Sequence, residues 1–185
     1  MAETFPVLQT ERLNLVEITQ EHLDDLFKIF GDKRVTEYYN VIPLTDAPQA
    51  QKFIDWFSIR YKEKSAIRWG INLKERAGII GTIGFNNFTK NHRANIGFDL
   101  QHDFWNKGYT SEALQAVTKF GFQQLDINRI EAEVMQGNTG SEKLLEKSGF
   151  KFEGILRDWM FWNDKHYDMS MFSKLRSEFS ENKSF

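Results

Sequence analysis

Ala94-Asn95-Ile96-Gly97-Phe98-Asp99-Leu100-Gln101-His102-Asp103-Phe104-Trp105-Asn106-Lys107-Gly108-Tyr109-Thr110-Ser111-Glu112-Ala113 reads as a strand that passes through a short loop into a helix. Gly108 stands at the mouth of that helix, and Thr110, Ser111 and Glu112 fill its first turn. A helix N-terminus leaves several backbone N–H groups unpaired and carries about half a positive charge. A loop with glycine at its tightest point can therefore wrap a phosphate without any basic side chain. Lys107 adds a cation. The same residues also describe a plain strand-to-helix turn with a structural glycine, and their spacing alone does not separate the two.

Two further β-type runs, residues 66–73 and 78–85, precede this segment. The connections Lys74-Glu75-Arg76 and residues 86–93 have lengths that suit antiparallel hairpins. Gly78, Gly81 and Gly84 lie in a β-type run with no helix after it, so they read as strand and hairpin glycines. Neither Gly-x-x-x-x-Gly-Lys-Ser/Thr nor Gly-x-Gly-x-x-Gly occurs. Earlier still come a first strand around Leu13 and Leu15 and a helix from Thr19 to the stop at Gly31, with Leu23, Leu26, Phe27 and Phe30 on one face. A second helix is opened by Asp46 or Thr45, followed by Pro48.

On the C-terminal side, residues 109–125 form a helix with the narrow stripe Ala113, Ala116, Val117 and Phe120. A strand follows in which Ile130, Ala132 and Val134 alternate with Glu131, Glu133 and Met135. Thr139 starts a helix with Glu142 three residues on, a capping box, and Gly149 ends it. Residues 155–162 and 166–173 close the chain as a hairpin around Asn163-Asp164. The order β α α β β β α β α β β is an α+β sheet, antiparallel early, with a strand–helix–strand crossover in its second half.

With 185 residues, 41% hydrophobic and 15% aromatic, the chain can bury a self-sufficient core. We expect one domain over residues 1–185, its core at about 10–175, with residues 1–9 and the polar tail 176–185 loosely attached. The absence of Cys excludes disulfides, thiolate nucleophiles and Cys-ligated metals. His22, His92, His102 and His166 show no ligand spacing, so no metal is assigned. A net charge of -2 and a pI near 6.1 give no overall positive field, which argues against a nucleic-acid or membrane partner. No signal-peptide pattern or membrane span is legible, so a cytoplasmic protein is expected.

Taken together, Thr10-Glu11-Arg12-Leu13, residues 105–113, the Asn138-x-x-Ser141 helix ending in Gly149-Phe150, Glu153-Gly154, Arg157 and Asp168 resemble one family across nearly the whole chain. It is the GNAT superfamily of acyl-CoA-dependent N-acyltransferases, and within it the ribosomal-protein alanine/serine N-terminal acetyltransferase branch. The resemblance implies a twisted mixed sheet of about seven strands flanked by helices. Its fourth and fifth strands, residues 94–100 and 130–136, splay apart. The pantetheine arm of acetyl-CoA would lie in the gap against main-chain groups of Phe98, Asp99 and Leu100. Its pyrophosphate would rest on the amides of Trp105, Asn106, Lys107, Gly108, Tyr109 and Thr110. A backbone N–H near Leu100 would hold the oxyanion, and Asn138 would contact the pantetheine or a water. An acceptor amine attacks directly, without an acyl-enzyme.

The sequence departs from the family's pattern at three places. Trp105 and Thr110 replace the outer residues of the usual pyrophosphate motif. Leu145 stands where many relatives carry an acidic Tyr, which makes Ser141 the substitute for protonating or ordering water at the departing thiolate. Met160 occupies the position of a glutamate used in the ribosomal branch. No general base is assigned; Glu153, Asp99 and Asp168 are the carboxylates to test, each with a structural role as its alternative. A free α-amine tolerates that gap, since with a pKa near 8 roughly a tenth of it is neutral at pH 7. Trp56, Trp69, Trp159, Phe161 and Trp162 either line an acceptor groove or fill the core. The leading expectation is an N-acetyltransferase acting on a primary amine, possibly a protein N-terminus. An enzyme for an amino sugar, polyamine or antibiotic and a non-catalytic acyl-CoA sensor stay as alternatives. A monomer and a homodimer are both compatible with the sequence.

Overall fold

Alternation of apolar and polar residues produces a sheet with two unlike faces. The computed structural model describes residues 4–179. Its strands are β1 (Leu8–Gln9), β2 (Leu13–Glu17), β3 (Ile67–Leu73), β4 (Gly81–Phe88), β5 (Arg93–Leu100), β6 (Arg129–Met135), β7 (Lys151–Trp162) and β8 (Lys165–Leu175). They form one sheet in the order β1-β2-β3-β4-β5-β6-β8-β7. Neighbours are antiparallel except β5 and β6, which are parallel because helix α4 (Tyr109–Gln123) carries the chain back between them. The other helices are α1 (Leu23–Gly31), α2 (Lys33–Thr36), α3 (Gln51–Lys62) and α5 (Thr139–Lys147).

On one face Leu13, Trp69, Ile83, Phe85, Ile96 and Ala132 pack with Ala113, Val117 and Leu145 of α4 and α5 in the main core. Small residues let α4 close on the sheet: a Cβ on Gly121 would stand 2.6 Å from the Phe85 ring. On the other face Leu26, Ile29 and Phe30 of α1 and Ile54 and Phe57 of α3 build a second core with Ile18 and Ile79. That second core covers only the early strands. Further along the same face the sheet carries Arg68, Thr82, Asn86, Asn95, Asp99, Glu131 and Glu133, most of them hydrogen-bonded to one another, with Glu131 held by Arg93 and Arg129.

The sheet has eight strands rather than about seven, because Leu8 and Gln9 pair with Leu15 and Asn14. The N-terminal residues are tied down as well: Phe5 packs on Tyr61 and Trp69, and the Trp69 indole donates to the Pro6 carbonyl at 2.7 Å. At the other end Arg176 bonds the Ile127 carbonyl and Phe179 meets Phe122, while residues 180–185 of the expected tail, and residues 1–3, lie outside the described residues. Strand β4 starts at Gly81, not Gly78. Gly78 turns at φ 79°, and the next amide, Ile79 N–H, donates to Asp25 of α1. Strand β7 starts four residues earlier than expected, and its hairpin turns at Asn163 and Asp164, both at positive φ. The capping box at Thr139 does not form. Asn138 caps α5 by accepting from Ser141 N–H, and Glu142 instead accepts from Ser170 of β8.

Arg68 and Asp99 form a fully desolvated pair at 2.5 Å, with side chains 4% and 5% exposed. Thr82 donates to Asp99 through its N–H and its hydroxyl, and accepts from Arg68 Nε. Burial pushes the Asp99 carboxyl above its ordinary range, against the opposing pull of Arg68 and Thr82. Removing one member strands the other in a low-dielectric site. Arg68→Met is expected to lower the unfolding free energy by about 3–5 kcal/mol, read from urea denaturation at pH 7. A loss below about 1 kcal/mol would show that water reaches the pair.

Candidate active site

Three residue pairs join β5 to β6: Arg93 to Arg129, Ala94 to Ile130 and Asn95 to Glu131. Beyond them β5 continues with β4 as far as Leu100, and β6 continues with β8 as far as Met135. The two strands therefore part, as expected. A register shift between Phe85 and Asn87 of β4 lies opposite Asn95 and Ile96, the level at which β5 leaves β6. Such bulges bend a strand and increase its twist.

Alternation along β5 fixes which main-chain groups face the gap. His92 C=O accepts from the Asn128 and Arg129 amides on the β6 side, whereas Arg93 C=O accepts from Thr89 and Gln101 N–H reaches Ile80 on the β4 side. Even-numbered residues thus point their N–H and C=O toward β6, so those of Phe98 and Leu100 open on the gap. The main chain of Asp99 faces β4, opposite Thr82. The Trp105 indole donates to the Leu100 carbonyl at 2.8 Å, which leaves the Leu100 N–H directed into the opening.

Trp105 thus folds the following loop back onto β5, and its ring also lies against His102, centroids 4.8 Å apart. Asn106 (φ 60°) and Gly108 (φ 79°) both take left-handed conformations. The first helical bond of α4 runs from Glu112 N–H to Gly108 C=O at 3.1 Å, so the amides of Gly108, Tyr109, Thr110 and Ser111 precede the ladder. Asn106, Lys107 and Gly108 are exposed, and the Lys107 ammonium sits 5.4 Å from the Phe104 ring.

Thr10 and Arg12 clamp this loop. Glu112 accepts from the Thr10 hydroxyl (2.5 Å), Arg12 N–H (2.8 Å) and Arg12 Nε (2.7 Å), and Arg12 Nη1 donates to Lys107 C=O at 3.0 Å. The Arg12 guanidinium also lies over Tyr109, 4.6 Å from the ring centroid. Partial burial pushes the Glu112 carboxyl up, but the donors from Thr10 and Arg12 outweigh it and hold it below the ordinary value. The chain opening Thr10-Glu11-Arg12 is therefore part of the loop's foundation, a role that the segment's sequence alone did not reveal.

Across the gap, at the end of β6, stand Asn138 and Ser141. The Asn138 side-chain oxygen accepts from Ser141 N–H at 3.1 Å; its amide N–H groups and the Ser141 hydroxyl make no protein hydrogen bond among the described residues. Leu145, one turn further, is fully buried in the main core. Tyr38 lies against this end of the strand, since a Cβ on Gly137 would stand 3.3 Å from its ring.

On the helix-poor face a chain of side chains crosses the sheet. Arg68 donates to Asn86 Oδ1 (3.1 Å), Asn86 to Asn95 Oδ1 (2.9 Å) and Asn95 to Glu133 Oε1 (3.2 Å), while the Trp159 indole donates to Glu133 Oε2 (3.1 Å). The Asn95–Glu133 bond spans the parted strands just past their last paired position. Gly97, the next residue on this face of β5, has no room for a side chain: a Cβ would meet the Asn86 amide at 2.9 Å and Arg68 at 3.1 Å. Burial pushes up the phenol of Tyr39, which lies beside the Arg68–Asp99 pair and is stacked on Phe30.

The three carboxylates singled out from the sequence are all engaged. Asp99 belongs to the pair with Arg68. Asp168 accepts from Asp158 N–H at 2.8 Å. Glu153 accepts one hydrogen bond on each oxygen from the two terminal nitrogens of Arg129 and a further one from Ser173, and these contacts, Arg129 foremost, hold its carboxyl at about 2. Of the aromatics, Trp69 is core, whereas Trp56, Trp159 and Phe161 are 45%, 57% and 62% exposed. No group of three His, Asp or Glu residues that could hold a metal ion occurs among the described residues, and no described helix is long and apolar enough to cross a membrane.

Comparison with known proteins gives a family for this geometry. Residues 12–151 match the family model of the acetyltransferase (GNAT) domain. The chain is 42% identical over 174 residues to the N-acetyltransferase p20 of Bacillus licheniformis, covering 94% of this chain and 98% of that protein. It is 39% identical over 170 residues to the N-acetyltransferase YoaA of Bacillus subtilis, covering 91% and 96%. Among solved structures, the ribosomal L7/L12 α-N-protein acetyltransferase RimL in complex with coenzyme A superimposes with a TM-score of 0.83 at 20% identity, covering 94% of this chain and all of that one.

The Glu153 geometry yields a pH-dependent stability. Its folded carboxyl titrates at about 2 against an ordinary 4.5, so its contribution is fully present above 4.5 and disappears as pH falls through 2. The urea midpoints of the wild type and Glu153→Gln are expected to differ by a constant amount from pH 7 to about 5 and to converge below it. Curves that stay parallel down to pH 2 would contradict the Arg129 pairing.

Proposed function

The chain belongs to the GNAT acetyltransferase family and is an acetyl-CoA-dependent N-acetyltransferase, and from that premise we propose that its acceptor is the α-amine of a polypeptide. The observation that carries the placement of the reaction is the end of the β5–β6 ladder after Asn95 and Glu131. There the N–H and C=O of Phe98 and the N–H of Leu100 face the gap and are offered to an extended pantetheine arm, the Leu100 C=O being taken by the Trp105 indole. The amides of residues 108–111 receive the pyrophosphate at a helix N-terminus, where backbone dipoles favour anions. Acetyl-CoA supplies an acetyl group activated as a thioester. The Leu100 N–H is the donor aimed at the carbonyl oxygen, and Ser141 and Asn138 stand on the opposite lip, where a free hydroxyl meets the departing sulfur.

A polypeptide acceptor is supported by the shape of the other face. An open hollow of about 710 Å³, lined by Ile155, Leu156, Arg157, Asp158, Trp159 and Asp168, lies over the irregular stretch of β7. Exposed Trp159 and Phe161 border it on the same hairpin. An open trough of this kind fits an extended chain better than a small molecule that must be enclosed. The fold-level likeness to an α-N-protein acetyltransferase agrees with it.

Incubation with acetyl-CoA and a panel of peptides beginning with Ala or Ser, an amino sugar and a polyamine, read by thiol release and by mass spectrometry, tests the acceptor. Acetylation of the peptides at their N-termini is expected; exclusive modification of the small amines would replace the polypeptide reading. Gly108→Val forces a β-branched residue into φ 79°, at about 1–3 kcal/mol of strain, and sets its Cβ 3.4 Å from the Arg12 guanidinium. It is expected to abolish acetyl-CoA binding in calorimetry, whereas Lys107→Ala weakens it no more than about threefold, because backbone amides carry the site. Ser141→Ala is expected to lower kcat about tenfold, the worth of one hydrogen bond, with acetyl-CoA affinity unchanged. An unaltered kcat would reduce Ser141 to a residue of the helix cap.

A further inference from the structure

Glu112 poses a problem for an anion site at the start of α4. It is the carboxylate of that helix's first turn, where its charge and its oxygens compete with a phosphate for the same positive helix end. The fold withdraws it. Its described side-chain hydrogen bonds all go to the β1–β2 turn and none to α4: Oε1 accepts from the Thr10 hydroxyl and Arg12 N–H, and Oε2 from Arg12 Nε. That turn is itself braced. Thr10 N–H donates to Leu13 C=O and Leu13 N–H to the Thr10 hydroxyl, each at 3.0 Å, while the Lys74 N–H and ammonium donate to the carbonyls of Arg12 and Thr10. Arg12 also acts on the loop directly, since its Nη1 donates to Lys107 C=O. C=O and N–H point in opposite directions across a trans peptide, so this bond turns the Gly108 N–H away from Arg12.

We propose that Arg12 is a positioning residue for acetyl-CoA: it holds the Glu112 carboxylate off the amides of residues 108–111, cancels its charge and turns the Gly108 N–H toward the pyrophosphate. This rests on the acetyltransferase reading and gives the β1–β2 turn a part in its cofactor site. The pair is then asymmetric in its effect on binding. Without Arg12, an uncompensated carboxylate faces the incoming phosphates at the helix mouth. Without the Glu112 charge, a cation remains there, already resting over the Tyr109 ring and bonded to Lys107. A latch that served only to hold two elements together would lose equally from either side.

The test measures acetyl-CoA binding by calorimetry, and turnover with a peptide amide beginning with Ser, for the wild type, Arg12→Met, Glu112→Gln and the double variant. Arg12→Met is expected to raise the Kd for acetyl-CoA at least about 30-fold, from the lost charge-assisted bonds and the exposed carboxylate together. The KM for acetyl-CoA should rise with it, while kcat at saturating acetyl-CoA stays within about twofold, because Arg12 meets no reacting atom. Glu112→Gln is expected to cost no more than about threefold. The double variant should bind at least about fivefold more tightly than Arg12→Met, since removal of the carboxylate relieves the helix end. If the urea midpoint shows that Arg12→Met does not fold, Glu112→Gln alone decides. A Glu112→Gln loss as large as about 30-fold, a double variant no better than Arg12→Met, or Arg12→Met binding at wild-type affinity would overturn the role of Arg12 and leave the acetyltransferase reading intact. Wild-type protein that takes up no acetyl-CoA would overturn both.

Discussion

A β-strand whose neighbour leaves it keeps a row of N–H and C=O groups that must find other partners. In this protein that happens between β5 and β6, where β5 stays with β4 and β6 stays with β8 after three shared residue pairs. The bulge in β4 bends the strand beside the parting, and the crossover helix α4, running from the C-terminal end of β5 to the start of β6, makes the two strands parallel and paired only at their N-terminal ends. In the reading proposed above, an extended thioester arm completes the strand and the amides at the start of α4 receive its pyrophosphate. Binding then comes chiefly from backbone, which is compatible with a chain of net charge -2.

Backbone sites need rigid mounting, and the mounting is done by side chains. Thr10 and Arg12 hold the helix mouth through Glu112 and Lys107, and the Trp105 indole ties the loop to Leu100. On the acceptor face Arg68 and Asp99 are fully desolvated yet saturated with hydrogen bonds, the condition under which a buried pair is tolerated. From that pair a line of amides runs through Asn86 and Asn95 to Glu133, so the geometry of the gap's far side is tied to the packing of β3 and β4. Leu145 is fully buried in the main core, and in the proposed reading the polar groups at the start of α5 serve the departing thiolate.

Much of the fold was legible because its elements carry local signals. Gly149 takes the left-handed conformation expected after a helix, Gly108 stands at the helix mouth as expected and is left-handed too, and Asn163-Asp164 makes the turn that its residue types favour. The early and late limits of the strands were less legible. The two-residue β1 has no pattern of its own, and the start of β4 depends on Asp25, fifty-odd residues away in sequence, taking the Ile79 amide. Thr139 and Glu142 matched a capping box by type, yet Asn138 lay one residue nearer the helix start and Glu142 found Ser170.

The order of strands and helices, the glycine at the helix mouth, the buried alternation of Ile130, Ala132 and Val134 and the likeness to one enzyme family were properties of the sequence itself, since each depends on neighbours along the chain. Which carboxylates meet a cation was not. Glu131, Glu133 and Glu153 look alike as residues, and only the folded sheet gives Arg129 to two of them and neutral donors to the third. The same holds for Phe98, Asp99 and Leu100, of which only the first and last face the gap, because the side to which a peptide group points is fixed by the register between strands. Charge compensation and register are long-range pairings, and a sequence read locally does not contain them.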